Sequence, residues 1–166
     1  MAETWFISDH HFGHTNILKY EAAARPFKTI DEMNEAIINR WNSVVKKFDK
    51  VYHLGDFCFG ANNIEIAKFL NGNKYLILGN HDRYASRLYL QYFMQLHGAL
   101  FWNECILSHM PVHPNQLEHR AKYNIHGHLH SKNIELHGYL GKNPSYINVS
   151  CEQNNLTPIN ADELFK

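Results

Sequence analysis

Residues 75–82 read Tyr75-Leu76-Ile77-Leu78-Gly79-Asn80-His81-Asp82. A short apolar run that stops at glycine and turns into polar residues is the pattern of a buried strand delivering side chains at its exit. Working outward, the same grammar recurs four times. Thr4 to Ile7 runs into Ser8-Asp9-His10-His11, and Val51 to Leu54 into Gly55-Asp56. Cys105 to Leu107 runs into Ser108-His109, and Tyr123 to Ile125 into Gly127-His128-Leu129-His130. Tyr146 to Val149 predicts a last strand. Between these, Thr29 and Glu32 form a capping-box pattern, after which Met33, Ile37, Trp41, Val44 and Phe48 recur at helical spacing. Asn62 or Asn63 can cap a short helix through Leu70. Tyr84 to Leu96 predicts another helix, with Leu88 and Phe93 inward. Gly60–Asn63 and Gly138–Pro144 read as loops. Helices and strands alternate early and strands crowd later, with no linker or repeat. Residues 1–166 are therefore expected to form one α/β domain with its functional residues on strand-exit loops.

The chain has 166 residues, enough for one full hydrophobic core. Lys plus Arg and Asp plus Glu balance at 16 each. A neutral chain has no long-range field to gather a long polyanion, so long nucleic acid is disfavoured as a partner. The 13 histidines are the compositional outlier, and histidine is the commonest metal ligand. Cys58, Cys105 and Cys151 are odd in number and widely spaced, which argues against a disulfide framework or a cysteine zinc site. With no signal-peptide pattern at Met1–Thr4 and no membrane-length apolar run, a soluble cytoplasmic protein without a membrane partner is expected.

The five strand exits offer Asp9, His11, Asp56, Asn80, His109, His128 and His130: two carboxylates, one amide oxygen and four imidazoles. In extended chain, positions i and i+2 point the same way, so Asp9 and His11 can grip one ion. His128 and His130 can do the same or divide between two. Asp56, alone after a glycine, has two oxygens and can bridge two cations. Each piece also has an ordinary reading. Asp-x-His is a polar strand end, Gly-Asp a turn, and Gly-Asn-His-Asp a loop with Asn80 left-handed. Jointly those readings weaken, because five unrelated turns have no reason to hold this set. Seven ligands, one of them bridging, suit two ions sharing a water.

In this order the blocks resemble the calcineurin-like metallophosphoesterases, in their small cap-less form. The family pattern Asp-x-His, Gly-Asp, Gly-Asn-His-Asp/Glu, His, Gly-His-x-His is met from Asp9 to His130, and Ile147-Asn148-Val149 resembles the closing strand. The resemblance implies a four-layer α/β/β/α sandwich with its site at the C-terminal edge of the strands. It implies one ion held by Asp9, His11, Asp56 and His130, and another by Asp56, Asn80, His109 and His128. It also implies a metal-dependent phosphoric ester hydrolase using metal-activated hydroxide on a phosphodiester or phosphomonoester. His81 would stabilise a phosphoryl oxygen or protonate the leaving group, and Asp82 would orient and charge that imidazole. His109 departs from some members in being followed by Met110-Pro111, which touches only local loop shape. Nitrogen and oxygen ligands without thiolate fit manganese first, with iron or zinc compatible.

The expected substrate is a small nucleotide-like phosphate ester, since no cap is inserted and Phe12, Phe57, Phe59 and Tyr84 lie near the motifs. His14 and Arg83 are candidate substrate contacts. His10, His53 and His126 read as core histidines, and His113, His119, Arg120 and Lys122 as a solvated basic loop with a substrate rim as the sharper alternative. An idle binding scaffold on the same fold is the competing reading, disfavoured because every ligand and His81 remain. A metallopeptidase lacks the His-Glu-x-x-His helix.

Overall fold

The computed structural model describes residues 2–118, 120–134 and 144–165. The strands are β1 (Thr4–Ile7), β2 (Lys50–His53), β3 (Asn73–Ile77), β4 (Gln95–His97), β5 (Ala99–Trp102), β6 (Cys105–Ser108), β7 (Tyr123–His126), β8 (Tyr146–Asn148) and β9 (Ile159–Asn160). The α-helices are α1 (Ile17–Tyr20), α2 (Ile30–Val44) and α3 (Ser86–Tyr89). One sheet has the order β4-β3-β2-β1-β9, parallel except for β9. The other runs β5-β6-β7-β8, parallel except for β5.

Alternate residues of a strand face opposite sides, and here the two sides make two cores. Trp5, Ile7, Val51 and Leu76 pack with Met33, Ile37 and Trp41, the buried stripe of α2. Phe6, Tyr52, Leu54 and Ile77 pack with Cys105, Leu107 and Ile125 of the second sheet. The layers are therefore helix, sheet, sheet. Over the outer face of the second sheet, Val112 donates to Asn124 Oδ1 at 2.9 Å and accepts from the Tyr146 hydroxyl at 2.8 Å. The segment that follows carries one 3-10 turn, Pro114–Gln116. Among the described residues that turn is the helical content of the stretch where the resemblance implies a fourth layer. No described helix is long and apolar enough to cross a membrane.

The capping box of α2 forms as expected, Glu32 N donating to Thr29 Oγ1 at 3.2 Å. Other expectations are corrected. The helix stops at Val44, and Val45 takes the buried position while Phe48 is 71% exposed. The Ala61–Phe69 helix is 3-10 and has Gly60 at its N-cap position; Asn63 gives its side-chain amide to the Phe59 carbonyl instead of capping. The helix expected over Tyr84–Leu96 shrinks to α3. Residues 95–97 instead become β4, because β3 has an open edge whose ladder they complete: Met94 N donates to Lys74 O and Leu78 N to His97 O. Phe93 is buried and Leu88 packs half-buried against the same core, both as expected, and Tyr89 is fully buried beside them. Of the Gly138–Pro144 loop, 138–143 lie outside the described residues.

Candidate metal centre

The parallel ladders of the first sheet continue past the strand ends. Asp9 N donates to Gly55 O at 2.9 Å, His11 N to Asp56 O at 3.1 Å and Phe12 N to Phe57 O at 3.0 Å. In the second sheet, Gly127 N donates to His109 O at 2.9 Å. The exit loops are thereby zipped side by side. The Asp9-x-His11 expectation of extended chain is corrected at this point. Asp9, His11, Asp56, His128 and His130 all have positive φ, between 51° and 70°. Left-handed backbone is unfavourable for a side chain, least so for Asn, Asp and His, and such conformations concentrate where a site needs them. They turn Asp9 and His11 to one place and send His10 between them into the core. Asn80, the residue for which a left-handed loop was the ordinary reading, is not among the residues with positive φ.

Two groups of potential ligands result, Asp9 with His11 and His130, and Asp56 with His109 and His128. Within each, one ligand atom per residue lies within 4.8 Å of the others. In the first, Asp9 Oδ1 is 3.8 Å from His11 Nε2 and 3.9 Å from His130 Nε2. In the second, His109 Nε2 lies 2.9 Å from Asn80 Oδ1, 3.2 Å from His128 Nδ1 and 3.4 Å from Asp56 Oδ2. The same Asp56 Oδ2 is 3.7 Å from His11 Nε2, so one oxygen faces both groups. All seven sequence-derived ligands are brought together.

These donors fit divalent cations. Asp9 Oδ1 and both nitrogens of His11 are buried and find no hydrogen-bond partner among the described residues. Buried polar atoms are otherwise almost always paired. His109 Nδ1 donates to the Leu54 carbonyl at 2.8 Å and His130 Nδ1 to Glu152 Oε1 at 3.0 Å. Such partners fix the tautomer that leaves Nε2 for a metal.

Close backbone approach explains two of the glycines. A side chain on Gly79 would collide with Asp56, and one on Gly127 with Ser8 Oγ and Asp9 Oδ2. Gly127→Ala is accordingly expected to displace Asp9 and weaken metal binding at the first group at least tenfold, measured by equilibrium dialysis. Asp82 has a different task from the one the sequence assigns it. Its Oδ2 accepts from Asp56 N at 2.7 Å and Gly79 N at 2.9 Å, and its Oδ1 from Phe57 N at 3.1 Å and the Tyr89 hydroxyl at 3.5 Å. Both oxygens brace the Asp56 and Asn80 loops against each other instead of holding the His81 ring.

Charges follow from burial and pairing. Burial pushes the Asp9 carboxyl up, with His109 and His130 offsetting part of the rise. Burial also pushes Asp56 up, but its hydrogen bond and charge contact with His109 win and hold it well below the usual carboxylate range. For His109, burial is outweighed by Asp56 and Asp9, which lift it to about 9. Burial depresses His11, and burial with the neighbouring His53 and Arg25 depresses His10. His53 falls to about 3, chiefly through burial.

His10 and His53 are core residues, as the sequence predicts. Gly55 N donates to His53 Nδ1 at 3.2 Å, so His53 Nε2 donates to His10 Nδ1 at 2.8 Å. His126 is buried, its Nδ1 donating to Gly127 O at 2.8 Å. Lys122 ion-pairs with Glu104 at 2.7 Å, ahead of β7 and at the strand end away from the ligands. The substrate-rim alternative therefore fails for Lys122, while His119 lies outside the described residues. His14 stacks on Phe59 at 3.8 Å between ring centroids, 5.3 Å from His11. Arg83 donates from Nε to Asn80 O at 2.6 Å. A cleft of about 360 Å³ lies between Leu78–Asn80 and Ser108–Met110. A cavity of about 720 Å³ between Pro114 and Tyr123 holds none of the ligands, so the donors rather than the volume locate the site.

Sequence reading missed Arg25, Glu152, Ser8 and Ser150. The hydroxyls of Ser8 and Ser150 donate to Asp9 Oδ2 at 2.6 and 2.9 Å. Arg25 and Glu152 are wholly buried as side chains and paired at 2.7 Å. Glu152 follows the last predicted strand by only three residues, the one signal that places it near the site.

No family model matches the chain. It is 34% identical over its full length to the uncharacterized protein MJ1445 of Methanocaldococcus jannaschii, covering 91% of that protein. It is 32% identical to the gene 66 protein of Mycobacterium phage L5, over 81% of this chain and 80% of the phage protein. Among solved structures, the protein of unknown function AQ665 from Aquifex aeolicus matches 98% of this chain and 97% of its own, with 29% identity and a TM-score of 0.74. The fold is thus a mixed α/β one with a candidate two-metal site at the strand exits. The chain belongs to the family of MJ1445 and the phage L5 gene 66 protein.

Proposed function

We propose that this protein is a dinuclear metal-dependent phosphoesterase acting on a small, nucleotide-like phosphodiester or phosphomonoester. The observation that carries the reading is Asp56 Oδ2, which faces His11 Nε2 at 3.7 Å and His109 Nε2 at 3.4 Å. An oxygen so placed can serve two ions at once. The reading takes the fold as a cap-less four-layer metallophosphoesterase-like domain spanning residues 1–166, working in the cytoplasm, and takes the resident ions as manganese before iron or zinc.

Asp9, His11, Asp56 and His130 would hold one cation, and Asp56, Asn80, His109 and His128 the other. Bound there, the cations would supply Lewis acidity and lower the pKa of water at neutral pH. The chain's own residues do the rest. His81 is held through its backbone N–H, which donates to Asp56 Oδ1 at 2.8 Å, while its side chain stays 37% exposed. Its ring can hydrogen-bond a phosphoryl oxygen or give a proton to the leaving alkoxide. Asp82 keeps that loop in register through the backbone. Arg83, anchored on Asn80 O, and His14, seated on Phe59, would contact the substrate.

Hydrolysis of bis(p-nitrophenyl) phosphate and p-nitrophenyl phosphate, with manganese, iron or zinc restored to stripped protein, tests the reading. Metal-dependent turnover of at least one is expected. His81→Ala should lower kcat by about 100-fold or more with metal content unchanged. Inactivity with every metal would favour the idle scaffold, and equal loss of metal and turnover in His81→Ala would move His81 into the metal shell.

A further inference from the structure

We infer that the two halves of the candidate metal centre are unequal by construction. Arg25 and Glu152 hold Asp9, His11 and His130 in place ahead of the cation, so this half loads first and tightly. The half made by Asn80, His109 and His128 takes the weaker, exchangeable ion. The inference rests on the two-metal reading and adds to it an order of loading and two positioning residues.

The first half is built around orphaned atoms. Asp9 Oδ2 is fully committed, accepting from the Ser8 hydroxyl, the Ser150 hydroxyl and the His128 backbone N–H at 2.6, 2.9 and 2.9 Å. That fixes Asp9 Oδ1 toward His11 and His130 with no hydrogen-bond partner, and leaves His11 Nε2 equally unmet among the described residues. Behind them sits a charged brace. Arg25 donates from Nη1 to the His10 carbonyl at 2.9 Å and from Nη2 to the Asp9 carbonyl, clamping the left-handed turn that aims both ligands. Its Nε donates to Glu152 Oε1 at 2.7 Å, and the same oxygen accepts from His130 Nδ1 at 3.0 Å. One arginine therefore ties the backbone of one ligand pair to the imidazole of a third. A buried charge pair is retained only where its geometry is good, and a guanidinium fork spans these acceptors as an ammonium cannot. Among the described residues the atoms left over have no partner, and a cation would supply one.

The second half is satisfied within itself. His109 Nε2 meets Asn80 Oδ1 at 2.9 Å and His128 Nδ1 at 3.2 Å, so its ligand atoms answer one another. A cation there must first part these contacts. In the second half Asn80 and His128 are partly exposed and His109 is buried, whereas in the first Asp9 and His11 are buried and His130 is partly exposed. Carboxylate count points the same way, since Asp9 and Asp56 both face the first position and Asp56 alone faces the second. Desolvated, unpaired and doubly anionic donors bind a divalent ion more strongly than solvated, mutually hydrogen-bonded ones.

Calorimetric titration of stripped full-length protein with Mn²⁺ at fixed pH tests this. Wild type should show two events, the first at least about tenfold tighter. Glu152→Gln keeps the volume of the side chain and removes its charge. It should weaken the tight event by about 10- to 100-fold and leave the weak event within about twofold, and that retained event also reports a folded protein. His128→Ala should remove the weak event and spare the tight one. Two equal events in wild type, or a Glu152→Gln variant whose tight event is unchanged or whose events fall together, would overturn the inference while leaving the two-metal reading standing. Wild type that binds neither Mn²⁺ nor Zn²⁺ would instead overturn that reading.

Discussion

Asp56→Asn is expected to leave a folded protein that holds at most one cation and has lost on the order of 1,000-fold in kcat/KM. The amide keeps an oxygen to accept the His81 backbone N–H, now bonded to Asp56 Oδ1 at 2.8 Å, so the loop should keep its shape. What disappears is the negative charge on the oxygen that faces His11 Nε2 and His109 Nε2 together. Neither half then has its shared carboxylate, and the second half has no carboxylate at all. Lewis-acid stabilisation by a second ion is worth several kcal/mol, and about 1.4 kcal/mol is tenfold in rate, which sets the expected loss. Elemental analysis beside the kinetics checks it. A variant that retains two ions per chain would show that Asp56 is not shared. One that retains one ion and full rate would show that a single cation suffices.

How much of this was legible in the sequence depends on which force fixed each part. The strands carrying ligands were readable because each is an apolar run ending at a glycine or a polar pair, and burial on both faces leaves such runs little choice. Five of the seven candidate ligands, Asp9, His11, Asp56, His128 and His130, were readable for a related reason: Asp and His tolerate left-handed backbone at a strand exit, so chemistry and conformation select the same letters there. The mechanism by which Asp9 and His11 share a direction was misread, because i and i+2 align in extended chain and these residues are not extended. Residues 84–96 misled because helical spacing is a local signal, whereas β4 exists only because β3 offers it an edge. Asp82 was misassigned for want of a fold, since its hydrogen bonds go to backbone N–H groups of another loop, and backbone carries no signature in sequence. Arg25 and Glu152 were invisible for the same reason. They are 127 residues apart, and nothing local marks either as buried.

Stripped of metal, the protein is expected to have a narrow stability optimum near pH 6.5, with stability falling on both sides. The acid side comes from histidines buried neutral. His53 is depressed to about 3 and His10 and His11 well below their ordinary value. Below pH 6.5 the unfolded chain binds protons that these folded residues refuse, down to about 3 for His53, so stability present above 6.5 is lost as pH falls, by about 1.4 kcal/mol per pH unit for a group while it refuses its proton. Asp56, held low by His109, adds to the loss below its ordinary value near 3.8, whereas Asp9, raised by burial, opposes the loss above that value. The alkaline side comes from His109, lifted to about 9, and from His130, raised by Glu152 against the effect of burial. These take up protons on folding, so their contribution is complete below 6.5 and is lost as pH climbs toward 9. Against a typical folding free energy of about 5–15 kcal/mol, either flank is large enough to see in urea midpoints measured from pH 4 to 9.5. A cation competes with the proton for His109 and His130, so restoring manganese should abolish the alkaline fall, while the part of the acid fall that arises in the core pair of His10 and His53 remains. A metal-free midpoint that stays flat from pH 5 to 9 would mean that the imidazole and carboxylate groups at the strand exits do not hold the charges their burial and spacing assign to them.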